Sequence, residues 1–146
     1  MTIFLGLGSN LGDREANLVS ARDLLMKHNV LVLGQSKIRE TEPLDGKNQP
    51  KYLNQVIECS TETTPFDLLR ICKRVEKEMG RPVEVPVGNV AFGKKEKKWE
   101  SRIIDIDILL YGNEKISTAT LTIPHCGVAD RQFVIDGIRD IDANAI

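Results

Sequence analysis

Apolar and polar positions divide this chain into short periodic segments separated by clusters of turn residues. Thr2 to Leu7 is apolar and β-branched, and it runs into Gly8-Ser9-Asn10-Leu11-Gly12-Asp13, a group of turn and helix-start residues. A strand followed by a helix is predicted. From Arg14 to His28, Leu18, Ala21, Leu24 and Leu25 recur at helical spacing, with Asp13 placed to cap the first turn. Val30 to Ile38 reads as a second strand, and Glu42 to Pro50, with two prolines and a glycine, as a loop. Tyr52 to Glu62 alternates as a third strand. Thr64-Pro65-Phe66-Asp67 marks another helix start, with Thr64 as N-cap, Pro65 at the first helical position and Asp67 completing a capping box. Phe66, Leu69, Cys72, Val75 and Met79 would form the buried stripe of this helix, and Gly80 its stop. Arg81 to Lys98 carries prolines, glycines and the run Lys94-Lys-Glu-Lys-Lys98, so a long mobile loop is predicted at about residues 82–98.

Next comes Ile103-Ile-Asp105-Ile-Asp107-Ile-Leu-Leu-Tyr111, a β-rich apolar run interrupted by two carboxylates. In an extended chain residues two apart share a face and lie roughly 6.6 Å apart at Cα. Asp105 and Asp107 therefore project together, while Ile104, Ile106, Ile108 and Leu110 cover the opposite face. Such a pair suits a hard divalent cation, because Mg²⁺ takes one or two carboxylates and leaves its other positions to water and phosphate. An edge strand whose acidic face meets water has the same pattern. The order strand, helix, strand, strand, helix, strand is that of the ferredoxin-like α+β fold, an antiparallel sheet with helices packed on it.

Composition narrows the setting. With 146 residues, 41% hydrophobic and 28% charged, the chain reads as a single domain over residues 1–146 with a sizeable core. A net charge of −1 offers no bulk attraction for nucleic acid or an anionic membrane, so any anion recognition is local. Cys59, Cys72 and Cys126 form no CxxC pair and are odd in number, which points to reduced thiols and a cytoplasmic setting. No apolar run approaches the roughly 20 residues that span a bilayer, and the N-terminus lacks a signal-peptide pattern. Neither membrane insertion nor secretion is expected.

Five segments carry a resemblance in one order: Leu7-Gly-Ser-Asn-Leu-Gly-Asp-Arg14, Gln49-Pro-Lys-Tyr-Leu-Asn54, Met79-Gly-Arg81, Arg102-Ile-Ile-Asp-Ile-Asp-Ile-Leu-Leu-Tyr-Gly112, and Ile123-Pro-His125 with Arg131-Gln-Phe133. The set resembles the 6-hydroxymethyl-7,8-dihydropterin pyrophosphokinases of folate biosynthesis, over residues 2 to about 136. The resemblance implies transfer of the ATP pyrophosphoryl group to the pterin hydroxymethyl oxygen, with two Mg²⁺ ions and ATP as co-substrate. Small-molecule substrates, no nucleic-acid partner and a monomer are expected. It implies catalytic roles for Arg81, Arg102, Asp105 and Asp107, the two aspartates being metal ligands. Glu76, Trp99, Arg102, Ile108, His125 and Arg131 would bind ATP, and Thr41, Pro43, Leu44, Tyr52, Asn54 and Phe133 the pterin. These types suit the ligands: a guanidinium fork grips phosphate, and a flat heteroaromatic ring wants aromatic stacking and an amide at its edge.

Some positions depart from the family pattern. Glu100-Ser101 replace the usual Gly-Pro, Val83 stands where a second loop arginine is usual, and 17 residues separate Arg81 from Trp99. Cys126 follows Pro124-His125, and Asp136-Gly-Ile-Arg139 replaces a proline-containing segment. An alternative function is therefore a non-catalytic nucleotide- or pterin-binding module. Retention of both aspartates and Arg102 favours the enzyme. An RNA-binding domain would want a basic sheet face with exposed aromatics, the opposite of Asp105 and Asp107.

Overall fold

The computed structural model describes residues 1–43, 48–80 and 103–146. In chain order its elements are β1 (Ile3–Ser9), α1 (Arg14–Lys27), β2 (Leu31–Gln35), β3 (Arg39–Thr41), β4 (Tyr52–Ser60), α2 (Pro65–Glu78), β5 (Asp105–Tyr111), β6 (Ile116–Ser117), β7 (Thr122–Ile123), α3 (Gly127–Asp130) and α4 (Gln132–Ile141). The main sheet runs β2-β4-β1-β5, with β3 also on β4 and every neighbouring pair antiparallel. This is an α+β arrangement. Leu44, Arg81, Trp99, Arg102 and the predicted loop at 82–98 lie outside the described residues.

Helix starts follow the local signals. Asp13 accepts the Ala16 N–H at the head of α1, and Thr64 accepts the Asp67 N–H at the head of α2, each replacing a bond that the first turn lacks. Met79 and Gly80 end α2, with Gly80 at φ +88°, a conformation that favours glycine. The predicted α2 stripe needs correction. Leu68, Cys72 and Val75 are its buried apolar residues, whereas Phe66 is 41% exposed. Two helical residues span about 200° of rotation, so Phe66 and Leu68 cannot share a face.

The predicted strand Val30 to Ile38 is also corrected. Regular pairing stops at Gln35 and resumes at Arg39 along the same edge of β4. Between them Ser36 donates its N–H to the Val56 carbonyl at 2.8 Å, while its hydroxyl accepts the Val56 N–H at 2.9 Å. A side chain has taken the place of the ladder's next carbonyl, and the backbone steps aside.

Alternation along β1 builds two different faces. Ile3, Leu5 and Leu7 enter a core with Leu18, Ala21 and Leu25 of α1 and Leu68, Cys72 and Val75 of α2. Phe4 points the other way into a smaller core with Val56, Leu109, and Val134 and Ile138 of α4. The residues of β5 expected on the apolar face are divided by a register shift: Leu5 pairs with Ile108 but Phe4 with Leu110. Ile104, Ile106 and Ile108 join the core beneath α1 and α2, while Leu110 packs with the second core. The extra residue reverses the side-chain phase beyond it.

The six-element order predicted from periodicity omits α4. This helix closes over part of the second sheet face, and its position is held by Arg39, whose guanidinium donates to both carboxylate oxygens of Asp140 at 2.8 and 3.2 Å. Gly137 is what lets it approach: a β-carbon there would lie 2.4 Å from Val56 Cγ2. Among the described residues no helix is long and apolar enough to cross a membrane.

Candidate active site

The second sheet face is not filled by α4 along its whole length, because β1 contributes glycine where it would otherwise contribute side chains. In the sequence Leu5-Gly6-Leu7-Gly8 the leucines face the larger core and the glycines face the opposite way. Gly8 pairs with Asn54 on one side and Asp105 on the other, and Gly6 with Val56 and Asp107. Two rows therefore cross the sheet, each with no side chain at its centre: Leu109 leans over Gly6, and the space over Gly8 is bordered by Asn54 and Tyr52. With strands about 4.8 Å apart, Asn54 and Asp105 are separated by about 10 Å at the backbone. The result is a cleft of about 400 Å³.

One wall is built by β3 and β4. Thr41 pairs with Tyr52, and Thr41 Oγ1 accepts the Asn54 side-chain amide at 2.6 Å. That bond directs Asn54 Oδ1 toward Gly8, where an added β-carbon would lie 3.2 Å from it. Pro43 continues this wall and Phe133, from the first turn of α4, stands on another. Thr41, Pro43, Tyr52, Asn54 and Phe133 thus line one cleft despite separations of up to 92 positions, from 41 to 133.

The opposite end is anionic. Asp105 and Asp107 line it from β5, and Glu76 reaches it from α2. Glu76, which the resemblance puts among the ATP-binding residues, is only 3% exposed, unlike most helix glutamates. Its carboxylate accepts the Ile106 N–H at 2.8 Å. Among the described residues no strand pairs with the outer side of β5, and the glutamate satisfies that N–H. Lys73 Nζ stands 3.8 Å from the other Glu76 oxygen and also lines the cleft.

His125 and Arg131 complete this end. The His125 ring accepts the Gly127 N–H on Nδ1 at 2.9 Å, so the neutral ring carries its proton on Nε2, which lies 3.9 Å from Asp107 Oδ2. Arg131 sits at the junction of α3 and α4. Ile108 is placed differently. Its side chain is 3% exposed within the larger core, on the face away from the cleft.

Several lining residues escaped the sequence reading: Gly6, Lys73, Leu109 and Val134 among them. Lys73 carries a usable signal, since it precedes Glu76 by three helical positions and so shares its side of α2. Leu109 carries one too, since it follows Asp107 by two strand positions and alternation puts it on the same face; the register shift changes the phase only at Leu110. Among the described residues no group of three or more histidine, cysteine or acidic side chains is gathered as a metal site. Asp105 and Asp107 offer carboxylate oxygens, the donor type a hard divalent cation takes when its other positions go to water or phosphate.

Over most of its length the chain is similar to proteins of one family. A family model described as 7,8-dihydro-6-hydroxymethylpterin-pyrophosphokinase matches residues 4–143. The 2-amino-4-hydroxy-6-hydroxymethyldihydropteridine pyrophosphokinase of Bacillus subtilis is 37% identical over 139 residues, or 94% of this chain and 76% of that protein. The protein of the same name from Aquifex aeolicus is 37% identical over 145 residues, or 99% of this chain and 82% of that protein. A mitochondrial folate synthesis bifunctional protein of Pisum sativum is 34% identical over 144 residues, or 99% of this chain and 26% of that protein. With most of its length matched by that family model and by such relatives, the chain belongs to the 7,8-dihydro-6-hydroxymethylpterin-pyrophosphokinase family.

Proposed function

We propose that the cleft transfers the pyrophosphoryl group of ATP to the hydroxymethyl oxygen of 6-hydroxymethyl-7,8-dihydropterin. A new bond forms between that oxygen and the β-phosphorus, the bond from the β-phosphorus to the α,β-bridging oxygen breaks, and AMP departs with the bridging oxygen. The observation that carries this reading is the pair of rows across β4, β1 and β5. They set an amide and aromatic wall on one side of two glycines and two carboxylates on the other. A flat bicyclic ring fits the space over Gly8, with Tyr52 and Phe133 as its apolar contacts and Asn54 and Thr41 reading its edge. Its hydroxymethyl arm then points toward Asp105 and Asp107. Counting β2 and β3 as one interrupted strand along β4, the order is βαββαβ, which with the sheet order β2-β4-β1-β5 supports the ferredoxin-like reading of the fold.

A polyphosphate cannot lie against two carboxylates and Glu76 unless cations separate them. Asp105 and Asp107 are the residues that would hold Mg²⁺, two ions in this reading. When bound, Mg²⁺ neutralises phosphate charge and acidifies a coordinated hydroxyl, which removes the need for a dedicated side-chain base. His125 and Arg131 supply hydrogen bonds and positive charge to the phosphates from the α3–α4 side. Glu76 orients the strand between the two aspartates through Ile106. The presence of both aspartates at the cleft favours turnover over mere binding.

Incubation with ATP, Mg²⁺ and hydroxymethyldihydropterin, with nucleotides resolved by chromatography, tests the assignment. AMP should appear in step with loss of the pterin substrate. Pterin-dependent ADP without AMP would place attack on the γ-phosphorus and overturn it.

A further inference from the structure

Arg14 opens α1 but directs its guanidinium toward the β3–β4 wall, where a single nitrogen, Nη1, donates to Glu40 Oε2 and to the Lys51 carbonyl, both at 2.9 Å. Glu40 immediately precedes Thr41, and Lys51 immediately precedes Tyr52. Thr41 and Tyr52 face each other in the β3–β4 ladder, which has only three register pairs, from Arg39 and Asn54 to Thr41 and Tyr52. We propose that Arg14 is a positioning residue for the pterin, a clamp that holds Thr41 and Tyr52 at one fixed separation before the ring arrives. The proposal rests on the reading of Thr41, Tyr52 and Asn54 as the pterin wall.

Three observations give the clamp its direction of action. Arg14 does not itself line the cleft, so it reaches a ligand there only through its neighbours. The strand ladder is short and ends where the connection to residue 51 begins, and such an end opens at low cost unless something outside the ladder restrains it. The same β1–α1 connection holds the preceding two residues through Asn10, whose amide donates to Gln49 Oε1 at 3.3 Å and to the Pro50 carbonyl at 3.2 Å. Residues 49 to 51 are therefore fastened one after another to the β1–α1 connection and the start of α1, and Arg14 alone among these contacts also grips the β3 arm. A wall ordered in advance spares the ligand the cost of ordering it. The phosphate-facing end of the cleft shares none of these bonds, so the effect belongs to the pterin and not to the nucleotide.

Binding of hydroxymethylpterin and of a non-hydrolysable ATP analogue is measured separately on four proteins: the wild type, Arg14→Gln, Tyr52→Ala and the double variant. Arg14→Gln should weaken pterin binding about two- to fivefold, the scale of a charge-assisted bond in a partly exposed setting acting at one remove. Binding of the ATP analogue should be unchanged. In the Tyr52→Ala background the Arg14 effect should shrink, because the residue it positions is gone. If Tyr52→Ala weakens pterin binding and Arg14→Gln does not, the wall is right and the clamp is wrong. A parallel loss of both ligands, tracking the folded fraction, reduces Arg14 to a structural residue and overturns the proposal. If Tyr52→Ala has no effect on the pterin, the wall reading fails and takes the clamp with it. Glu40→Gln removes only the carboxylate end and should give the same split at smaller size, which keeps the test available should Arg14→Gln not fold.

Discussion

Asp105 and Asp107 occupy the same face of β5 without contributing to either hydrophobic core. Their neighbours Ile104, Ile106 and Ile108 do that work on the other face. Asp105→Ala and Asp107→Ala should therefore each lower turnover about 10²-fold or more, the scale seen when one preorganised charge contact is lost, while the denaturation midpoint stays within experimental error or rises. Near-normal rates at limiting Mg²⁺ would remove the metal-ligand role, and unfolding would make the carboxylates structural. At this scale the sequence was informative wherever chemistry follows from spacing along one strand. The i, i+2 carboxylates and the alternating leucines and glycines of β1 are both local patterns. Glu76 shows the limit: no feature of α2 taken alone distinguishes a solvated glutamate from one buried against the open edge of another strand.

Gly137 interrupts a helix where alanine would be the better helix former by up to about 1 kcal/mol. Its packing explains the choice. The space for a β-carbon is already occupied by Val56, a stiff side chain that is buried on the central part of β4. Gly137→Ala should destabilise the protein by about 1–3 kcal/mol, the usual scale of overpacking, read as a lower urea midpoint. Val56→Ala in the same chain should recover part of the loss. A neutral or stabilising Gly137→Ala would mean that α4 is free to shift away from the sheet. The segment Asp136-Gly-Ile-Arg139, which departs from the family's usual proline-containing stretch, is thus an ordinary helical contact. Periodicity identified α1, most of α2 and the longer strands β1, β2, β4 and β5, whose signals extend over a turn or several alternations, but not the short paired strands β3, β6 and β7. It did not identify α4, whose role is to close a sheet face already shortened by two glycines.

The molecule as a whole depends on α4 remaining seated, and one ion pair joins that helix to the sheet edge. The carboxyl of Asp140 is held below its usual value, chiefly by the hydrogen bond from Arg39 and in smaller part by the Lys37 backbone N–H. A carboxyl depressed in the folded state adds stability above its unfolded-state value of about 3.9, and that stability is lost as pH falls through the lower folded-state value. Wild type should therefore exceed Asp140→Asn in urea midpoint at pH 7, with the difference closing below about pH 4. A difference that persists unchanged into acid would exclude the linkage. The longer strands as separate segments, the capped helix starts and the acidic strand were determined by sequence, because each is set by neighbours within about a dozen positions. Long-range contact decided the rest. The Ser36 step needs Val56 as a partner, the change of phase in β5 needs the register against β1, and the burial of Glu76 needs an unpaired N–H 30 positions away. The cleft itself belongs to both levels. Its empty floor is written in Leu5-Gly6-Leu7-Gly8, but its walls come from residues 41 to 133, and only folding brings side chains so far apart in the chain to the same 400 Å³.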